Sequence, residues 1–569
     1  LCSDNTLQEE HAEYIRDYFR EEVFPFLEPV LLMKDEIRFF IRDNRLYQVA
    51  CLKEKATGKR SYAIIKIPYS KVPRFIELPV LNGQYYFLFI EDLIAANLSE
   101  VFIGYEVEGS YNIKISRDAD IYIDEEITKG NVKNVIKKVK KRKIGDISRF
   151  VYDRRMPQDC LDYLQETFRI HSEDQIPDYK YLNLEDLNKL PNPFGKELEE
   201  QPIVPIRIPR LDKAKRLFTQ IRKQDIFFNY PYHSFDYFLR FLNEAANNPR
   251  VEEIKVTQYR VAEQSEVINN LLVAAKNGKK VTVFVELKAR FDEENNLYTA
   301  EQMKQAGIKI IYSIPGLKVH AKVALVREKT DKDKGIPVSY AYLSTGNFHE
   351  KTAKRYSDMA VMTAEPRLTE EVNRLFNRLE SRNDDVQFEH LLVTKHNMVP
   401  ELQARIRREI EQARQGKKAY ILLKMNSLQD PAMINELYQA SEAGVEIDLI
   451  VRGICCLIPD QAYSRNIRIT RIVDQFLEHS RVWYFYNNGE EDLFLSSADW
   501  MKRNLYRRIE AAFPIYDRKI KKTILEILNI QLNDNIKACY IGKHLENLFK
   551  HNNKPRVWAQ RDTYKLLSK

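Results

Sequence analysis

The feature that most constrains the fold is a pattern that occurs twice in the C-terminal two-thirds of the chain. Ile268–Leu271 is followed by Gly278, and Ile434–Leu437 is followed at the same distance by Gly444. Each copy lies between short apolar runs and reads as a strand, a helix closed by glycine, and a second strand. The repeat predicts two tandem α/β domains, which tend to pack about a pseudo-twofold axis.

The part of the chain before this repeat has a different pattern. Residues 1–205 combine a long helical segment, Thr6–Val23, with several strand-like runs, and they predict an α+β head domain. Pro-rich segments at Leu190–Pro193 and Gln201–Pro209 mark the linker that follows it.

The apolar pattern breaks again near Val386–Val393, so we place the first α/β domain at residues 206–388 and the second at 389–569. The alternation of short apolar runs with helices is typical of α/β layering. The predicted strands are Glu36–Ile41, Ser61–Ile67, Tyr85–Ile90 and Tyr111–Ile115 in the head, Val251–Val256, Lys280–Val285, Lys309–Ser313 and Val323–Val326 in the first α/β domain, and Ala419–Lys424, Glu446–Val451 and Val482–Tyr486 in the second.

The cysteine content, the apolar runs and the net charge indicate where the protein works and what it binds. Six scattered cysteines without a Cys-x-x-Cys pair indicate a reducing compartment and no zinc site. No apolar run approaches the roughly 20 residues that span a bilayer, so we expect a cytoplasmic protein. The net charge of +8 favours a polyanionic partner. The basic stretch Lys133–Lys143 reads either as a solvated helix with an apolar stripe or as a polyanion-binding face. The chain begins at Leu1, and we expect sequence to precede it.

Each α/β copy carries a histidine two residues before a basic residue, His320 before Lys322 and His479 before Arg481. In a strand, residues i and i+2 point to the same face, so we expect an imidazole beside a cation in both copies. Lys318 and Lys322 would favour neutral imidazole and neutralise phosphate charge. Neutral imidazole can attack phosphorus near pH 7, so two such units facing one cleft predict a phosphoryl-transfer site.

Other candidate phosphate-binding residues follow apolar runs. Arg260, Arg290 and Arg452 each lie where a predicted strand ends, which is the usual location of α/β sites, although single arginines there are often surface residues. The segment Ser344–Tyr356 could hold oxyanions and stack a base, or it could be a polar loop that leads into a helix. The chain contains neither a Walker A motif nor a Gly-x-Gly-x-x-Gly motif, which argues against a P-loop kinase.

Seven segments resemble, in the same order, the histidine-phosphorylated polyphosphate kinases of bacteria, a family with a phospholipase-D-like catalytic core. The resemblance covers essentially the whole chain, with residues 1–205 similar to the head domain of the family. The matching segments are Asp225–Phe235, Gln258–Arg260, Val285–Glu294, Gly316–Lys322, Ser344–Phe348, Val451–Cys456 and Ser496–Trp500.

The resemblance implies reversible transfer of the terminal phosphate of ATP to inorganic polyphosphate, with Mg²⁺ and through a phosphohistidine. His320 matches the histidine that becomes phosphorylated, and His479 is the candidate second acid/base. Arg260 and Arg290 match two arginines assigned to the phosphate and magnesium site. Because an arginine cannot ligate a cation, we interpret both as phosphate clamps beside the metal.

The resemblance also implies a nucleotide site and partners. Tyr356, Arg452 and His479 match nucleotide-site positions, and Arg508 and Glu510 match the active-site region. The family has a small helical domain, N-terminal to the part that this chain matches, which contributes an Asn to the adenine pocket. The implied partners are ATP or ADP and polyphosphate but no nucleic acid, with a homo-oligomer (dimer or tetramer) and peripheral association with the inner face of the membrane.

Two other functions are compatible with parts of the pattern. A phospholipase-D-type phosphodiesterase uses His-x-Lys-x4-Asp, but the Asp position holds Arg327 in the first copy and Tyr486 in the second. A non-catalytic polyanion-binding protein would explain the net charge and Lys133–Lys143, although no nucleic-acid-binding module is recognisable.

Overall fold

The structure is a computed structural model that describes residues 9–33, 41–42, 45–117, 147–199, 202–259, 265–286, 293–312, 318–330, 338–381 and 386–569. The predicted basic stretch Lys133–Lys143 lies outside these residues. The chain separates into two compact units, Leu1–Pro202 and Ile203–Lys569. None of the helices described is both long enough and apolar enough to cross a membrane.

The first unit is built on a six-stranded sheet with the order β1-β3-β2-β6-β7-β8, in which only β7 and β8 are parallel. A separate hairpin joins β4 to β5. The strands are β1 (Pro29–Leu31), β2 (Leu46–Glu54), β3 (Arg60–Lys66), β4 (Phe75–Leu81), β5 (Gln84–Phe89), β6 (Tyr105–Arg117), β7 (Ile147–Asp153) and β8 (Gln175–Asp178), and the helices are α1 (His11–Tyr18), α2 (Ile90–Ala96), α3 (Leu98–Val101) and α4 (Gln158–Phe168).

The central strand β2 is buried on both faces, because its successive side chains point alternately into two apolar clusters. Ala50 and Leu52 pack into one cluster, and Val49 and Cys51 pack into the other. Three of the four strands predicted here are confirmed as β3, β5 and part of β6, and the fourth, Glu36–Ile41, lies outside the described residues except for Ile41. The predicted first helix is shorter than expected, because regular α-helix ends at Tyr18 and a wider turn continues through Phe19–Val23.

The second unit contains two large sheets. The first sheet has the order β12-β11-β10-β14-β15-β16, with β9 and β21 also paired to β16. Its strands are β9 (Ile226–Tyr230), β10 (Val251–Gln258), β11 (Lys280–Val285), β12 (Lys309–Tyr312), β14 (Lys322–Glu328), β15 (Ser339–Ser344), β16 (Tyr356–Thr363) and β21 (Leu477–Glu478), and its helices are α5 (Pro209–Asp212), α6 (Leu217–Lys223), α7 (Asp236–Asn247), α8 (Glu266–Lys276), α9 (Glu293–Gln305) and α10 (Pro366–Ser381).

The second sheet has the order β17-β25-β23-β22-β18-β19-β20-β26-β27. Its strands are β17 (Leu392–Val393), β18 (Tyr420–Met425), β19 (Glu446–Val451), β20 (Ile467–Ile472), β22 (Arg481–Phe485), β23 (Asp492–Ser496), β25 (Ala511–Pro514), β26 (Ala538–Ile541) and β27 (Asn547–Phe549), and its helices are α11 (Met398–Arg414), α12 (Pro431–Glu442), α13 (Lys502–Arg507), α14 (Arg518–Asn533) and α15 (Ala559–Leu567).

The two sheets share a strand order. In each, three parallel strands (β10, β11 and β12, or β18, β19 and β20) are followed by three antiparallel ones (β14, β15 and β16, or β22, β23 and β25). The helices α8 and α12 connect the corresponding first two strands. Gly278 and Gly444 follow them with φ of 75° and 98°, the left-handed conformation that favours glycine after a helix.

The two halves of the second unit also exchange short strands. The strand β13 (Lys318–Val319) pairs in parallel with β24 (Arg508–Ile509), and β16 pairs in parallel with β21. A buried apolar cluster draws side chains from both large sheets, including Val323, Leu343, Leu422 and Leu495. Each exchanged strand ends at one of the histidines singled out in the sequence, so the exchange sets where both imidazoles lie.

Candidate active site

The first histidine lies in a break between two strands. His320 follows β13 and precedes β14, and the N–H groups of His320 and Ala321 both donate to the carbonyl of Ile509, at 2.8 and 3.0 Å. The expectation that His320 and Lys322 share one face of a continuous strand is therefore wrong. The chain turns at the histidine, and Lys322 Nζ donates to the carbonyl of His320 at 2.5 Å while its charge still acts on the imidazole.

The second histidine has the same backbone arrangement. His479 lies between β21 and β22, and the N–H groups of His479 and Ser480 both donate to the carbonyl of Ser357, at 3.1 and 2.8 Å. Arg481 Nη1 donates to the carbonyl of His479 at 2.9 Å, as Lys322 does to that of His320. The strand exchange thus holds each histidine by a carbonyl from the other half.

A carboxylate from the opposite half contacts each imidazole. His320 Nδ1 lies 2.9 Å from Glu510 Oε2, and His479 Nδ1 lies 2.9 Å from both Asp358 oxygens. Glu510 was among the predicted residues, whereas Asp358 was missed. The sequence spacing could have indicated Asp358, because each carboxylate lies two residues after a predicted site residue. Glu510 follows Arg508 in this way, and Asp358 follows Tyr356.

The partners of Glu510 determine which imidazole nitrogen carries the proton. The Ser497 hydroxyl donates to Glu510 Oε2 at 2.5 Å, and Asn504 Nδ2 donates to Oε1 at 2.7 Å. Both oxygens therefore act as acceptors, and His320 Nδ1–H is the third donor. This tautomer leaves the lone pair on His320 Nε2.

The surroundings of His320 keep its imidazole neutral. Burial lowers the pKa of His320 well below its ordinary value, and the positive charges of Lys322, Arg508 and Arg481 lower it further. Burial also raises the pKa of Glu510, although Lys322 and Arg508 oppose that increase. A neutral imidazole that keeps the lone pair on Nε2 among cations is a nucleophile suited to an electrophile that carries negative charge.

The charges around the second histidine, His479, are more nearly balanced than those around His320. Burial and the positive charge of Arg481 lower the pKa of His479, and Asp358 opposes them. Arg481 Nη2 donates to Asp499 Oδ2 at 3.1 Å, and Asp499 also accepts the backbone N–H of Asn426 at 2.8 Å. The cation beside His479 is therefore paired with a carboxylate.

The first half has no carboxylate at the corresponding position. Ser344–Phe348 aligns with Ser496–Trp500, which places Asn347 opposite Asp499. Within the described part of the chain, the buried Oδ1 of Asn347 has no hydrogen-bond partner. Because an amide carries no charge, Asn347 cannot form with Lys322 the ion pair that Asp499 forms with Arg481 in the second half.

The predicted nucleotide-site residues gather around His479. The Tyr356 ring centroid lies 5.1 Å from that of His479, with the planes at 60°. The half-buried Arg452 donates from Nε to Asn426 Oδ1 at 2.9 Å, and it lies within electrostatic reach of Arg481. The structure therefore brings Tyr356 and Arg452 to one imidazole and Arg508 and Glu510 to the other.

A further arginine, which the sequence reasoning missed, lies in the same region. Arg503 belongs to α13, next to the Asn504 that contacts Glu510. Burial lowers its pKa, and Arg508, Asp499 and Tyr259 are within electrostatic reach of its guanidinium. No spacing pattern marked Arg503, because α13 is a short helix that only the folded chain brings to the site.

Some predicted residues cannot be located. Arg260, Arg290 and the glycine of Gly316–Lys322 lie outside the described residues, so the predicted Mg²⁺ site near the two arginines does too. Among the residues that are described, no group of three or more His, Cys, Asp and Glu side chains is arranged to hold a metal ion.

The two imidazoles share one set of charges. Arg481 and Asp499 lie within electrostatic reach of both His320 and His479. The arrangement combines two imidazoles, one of which has a nucleophilic nitrogen, with several cations. A buried carboxylate contacts each imidazole. Such a site can accept a phosphoryl group on one histidine and stabilise the charge that develops on its oxygens.

Comparisons with known proteins match the same family in all three parts of the chain. Residues 10–190 match the model of the polyphosphate kinase middle domain, residues 216–385 that of polyphosphate kinase C-terminal domain 1, and residues 391–560 that of C-terminal domain 2. A polyphosphate kinase of Vibrio vulnificus is 37% identical over 576 residues, which cover 100% of this chain and 82% of that protein. A polyphosphate kinase of Escherichia coli is 38% identical over 575 residues, which cover 99% of this chain and 83% of that protein.

A solved structure supports the same relationship. The crystal structure of a polyphosphate kinase from Porphyromonas gingivalis superposes with a TM-score of 0.84 at 48% sequence identity. The match covers 98% of this chain and 83% of that one.

Proposed function

The chain belongs to the polyphosphate kinase family and is an ATP:polyphosphate phosphotransferase, and from this premise we propose a division of labour between its two histidines. His320 is the nucleophile that carries the phosphoryl group, and His479 is the acid/base residue on the nucleotide side. The observation that carries this proposal is the difference in charge, because Asn347 stands in the first half where Asp499 pairs with Arg481 in the second.

The reaction then proceeds in two balanced steps. His320 Nε2 forms a bond to the γ-phosphorus of ATP while the bond from that phosphorus to the β,γ-bridging oxygen breaks, and ADP leaves with the electron pair. A terminal oxygen of polyphosphate next attacks the same phosphorus, the P–N bond breaks, and neutral imidazole is regenerated. Glu510 holds the Nδ1 proton throughout and stabilises the charge that the imidazole gains.

The remaining site residues have matching roles. Tyr356 and Arg452 contact the nucleotide next to His479, and Arg508 and Lys322 neutralise phosphate oxygens next to His320. Burial lowers the pKa of Lys322 well below its ordinary value, while Glu510 acts in the opposite direction. An arriving phosphate group would stabilise the protonated amine.

We propose that Mg²⁺ is bound mainly by the phosphates of the nucleotide. The described carboxylates of the site do not fit a set of metal ligands, because Glu510, Asp358 and Asp499 already accept hydrogen bonds from protein groups. Mg²⁺ commonly keeps several waters and is held largely by substrate phosphates, which is compatible with such a site. Arg260 and Arg290 remain proposed phosphate clamps.

We also propose that the two α/β halves are a duplicated phospholipase-D-like domain. Their shared strand order and their matching histidine, carboxylate and hydroxyl contacts support a common ancestor. Nothing favours diester cleavage, because Arg327, at the position of the motif aspartate, donates to Glu253 at 3.1 Å on the strand β10.

Assembly and location are proposals taken from the family. We propose a homo-oligomer, a dimer or tetramer, in the cytoplasm with peripheral association at the inner membrane face. Light scattering of the purified protein would measure the oligomer. Flotation with anionic vesicles would measure membrane association.

The decisive experiment for the proposed function is phosphopeptide mapping after exposure to terminally labelled ATP. The label is expected on His320 in the wild type, to be absent in His320→Gln, and to form slowly but at the same residue in His479→Gln. Samples are kept at alkaline pH because phosphohistidine is labile in acid. Label on His479 in the His320→Gln variant would exchange the two roles.

A further inference from the structure

The short strand that carries His479 is held on its second edge by a side chain. The N–H groups of Leu477 and His479 donate to the carbonyls of Arg355, just before β16, and Ser357, in β16, so the backbone of Phe476 faces the opposite way. Gln560 Oε1 accepts the Phe476 N–H at 2.9 Å, and Gln560 Nε2 donates to the Phe476 carbonyl at 2.8 Å. The amide thus takes the place of a neighbouring strand.

The residue immediately before His479 is anchored in the same region. Glu478 is buried, and its carboxylate accepts from Lys424 Nζ at 2.5 Å, from Gln531 Nε2 at 3.0 Å and from Gln560 Nε2 at 2.9 Å. Gln531 belongs to α14 and Gln560 to α15. Two C-terminal helices therefore fix the backbone from which His479 projects.

The corresponding strand in the first half is held by a different residue. The Val319 N–H, immediately before His320, donates to Glu286 Oε2 at 2.7 Å. Glu286 directly follows β11, and the residue that directly follows the corresponding strand β19 is Arg452. A guanidinium has no acceptor atom, so Arg452 cannot hold a backbone N–H as Glu286 does.

The two supports act at different positions of the strand. Glu286 holds the residue immediately before His320, whereas Gln560 holds Phe476, three residues before His479. Arg452 contacts Asn426 beside His479 and is available to a nucleotide. In the second half, the strand before the histidine is therefore supported by Gln560, in a helix beyond the last strand of the sheet.

We propose that Gln560 is a positioning residue for His479 and that helix α15 belongs functionally to the nucleotide side of the active site. Gln560 does not contact substrate. It sets the position of β21, and β21 sets the imidazole against Asp358. This inference rests on the role proposed above for His479.

The test compares two buried glutamines. Gln560→Met removes the two contacts to Phe476 and one donor to Glu478, whereas the matched control Gln531→Met removes only one donor to Glu478. Both variants lose a buried amide, so similar melting temperatures are expected. Turnover is expressed per enzyme molecule that can be labelled on His320, which corrects for unfolded protein.

Turnover by Gln560→Met is expected to fall by roughly ten- to a hundredfold, the effect of a displacement of about 1 Å in a catalytic group. Turnover by Gln531→Met is expected to stay within about threefold of the wild type on the same reasoning. Equal losses in the two variants, or wild-type turnover per labelled site in Gln560→Met, would overturn the proposal.

A second variant covers the case in which Gln560→Met does not fold. Gln560→Glu keeps an acceptor for Phe476 and regains a donor when its carboxyl group is protonated. Its turnover relative to the wild type is expected to rise as the pH falls from 8 to 6, and a flat ratio would contradict the inference. If wild-type enzyme labels no histidine, the proposed function fails; if it labels His320 but Gln560 proves dispensable, only this inference fails.

Discussion

Replacing Glu510 by glutamine isolates the contribution of its charge to phosphorylation of His320. The side chain keeps its length, and its oxygen can continue to accept from His320 Nδ1 and Ser497. Its new amide group would face Asn504, whose buried Oδ1 has no hydrogen-bond partner among the described residues and can accept from it once the Asn504 amide rotates. The hydrogen bonds can therefore be conserved while the negative charge is lost.

The size of the effect follows from the short distance between the two groups. His320 Nδ1 lies 2.9 Å from the Glu510 oxygen, so the charge that the imidazole gains on phosphorylation lies about 4 Å from the carboxylate charge. At an effective dielectric constant of about 20, that interaction is worth about 4 kcal/mol. Its loss corresponds to a decrease of roughly a thousandfold in the rate of phosphorylation.

The assay is rapid-quench measurement of His320 labelling by terminally labelled ATP in a single turnover. The matched control is Asp358→Asn, which removes the equivalent carboxylate from His479 and is expected to slow labelling much less. Labelling by Glu510→Gln within tenfold of the wild type would refute the electrostatic argument. Since burial raises the pKa of Glu510, the ratio of wild-type to variant rates should also shrink as the pH falls and the wild-type carboxylate becomes protonated.

Three further predictions concern stability. Burial lowers the pKa of His233 from 6.5 to about 4, so the unfolding free energy should decrease by about 3 kcal/mol as the pH falls through that range. The variant His233→Asn keeps an acceptor for the Asn229 N–H, and urea titrations should show that its unfolding free energy depends much less on pH. Lys424→Met leaves the buried Glu478 without its ion-pair partner and should reduce the unfolding free energy by about 3–5 kcal/mol, and a smaller loss in Lys424→Met combined with Glu478→Leu would confirm the cause. Leu545 is half-exposed with φ of 63°, so Leu545→Gly should raise the unfolding free energy by about 1 kcal/mol, and a decrease would show that the leucine side chain stabilises its turn.

Sequence patterns predicted seven strands of the large sheets, because those strands are apolar runs and glycine follows the connecting helices, but they did not mark strands such as β15, β16, β20 and β23. The predictions Lys280–Val285 and Glu446–Val451 coincide with β11 and β19 at both ends. The repeated pattern also indicated Gly278 and Gly444 as helix ends, and both have the left-handed conformation.

The details of the site depended on contacts that periodicity does not encode. The strands β13 and β21 have two residues each and exist because the other half offers a partner, so the break at His320 was invisible in its sequence. The contacts of Asp358 and Gln560 likewise join positions far apart in the chain. Those two residues could be recognised only after the folded backbone had brought them to His479.

The exchange of strands between the halves has a consequence for the order in which the enzyme is completed on the ribosome. His479 and Asp358 are 121 positions apart, and Asp358 is already made when His479 is added. His320 and Glu510 are 190 positions apart, and at about 5–20 residues per second a growing chain carries His320 for roughly 10–40 s before Glu510 exists. The nucleophile therefore acquires its carboxylate long after its own synthesis, and a chain that stops before Glu510 cannot hold His320 in the reactive tautomer.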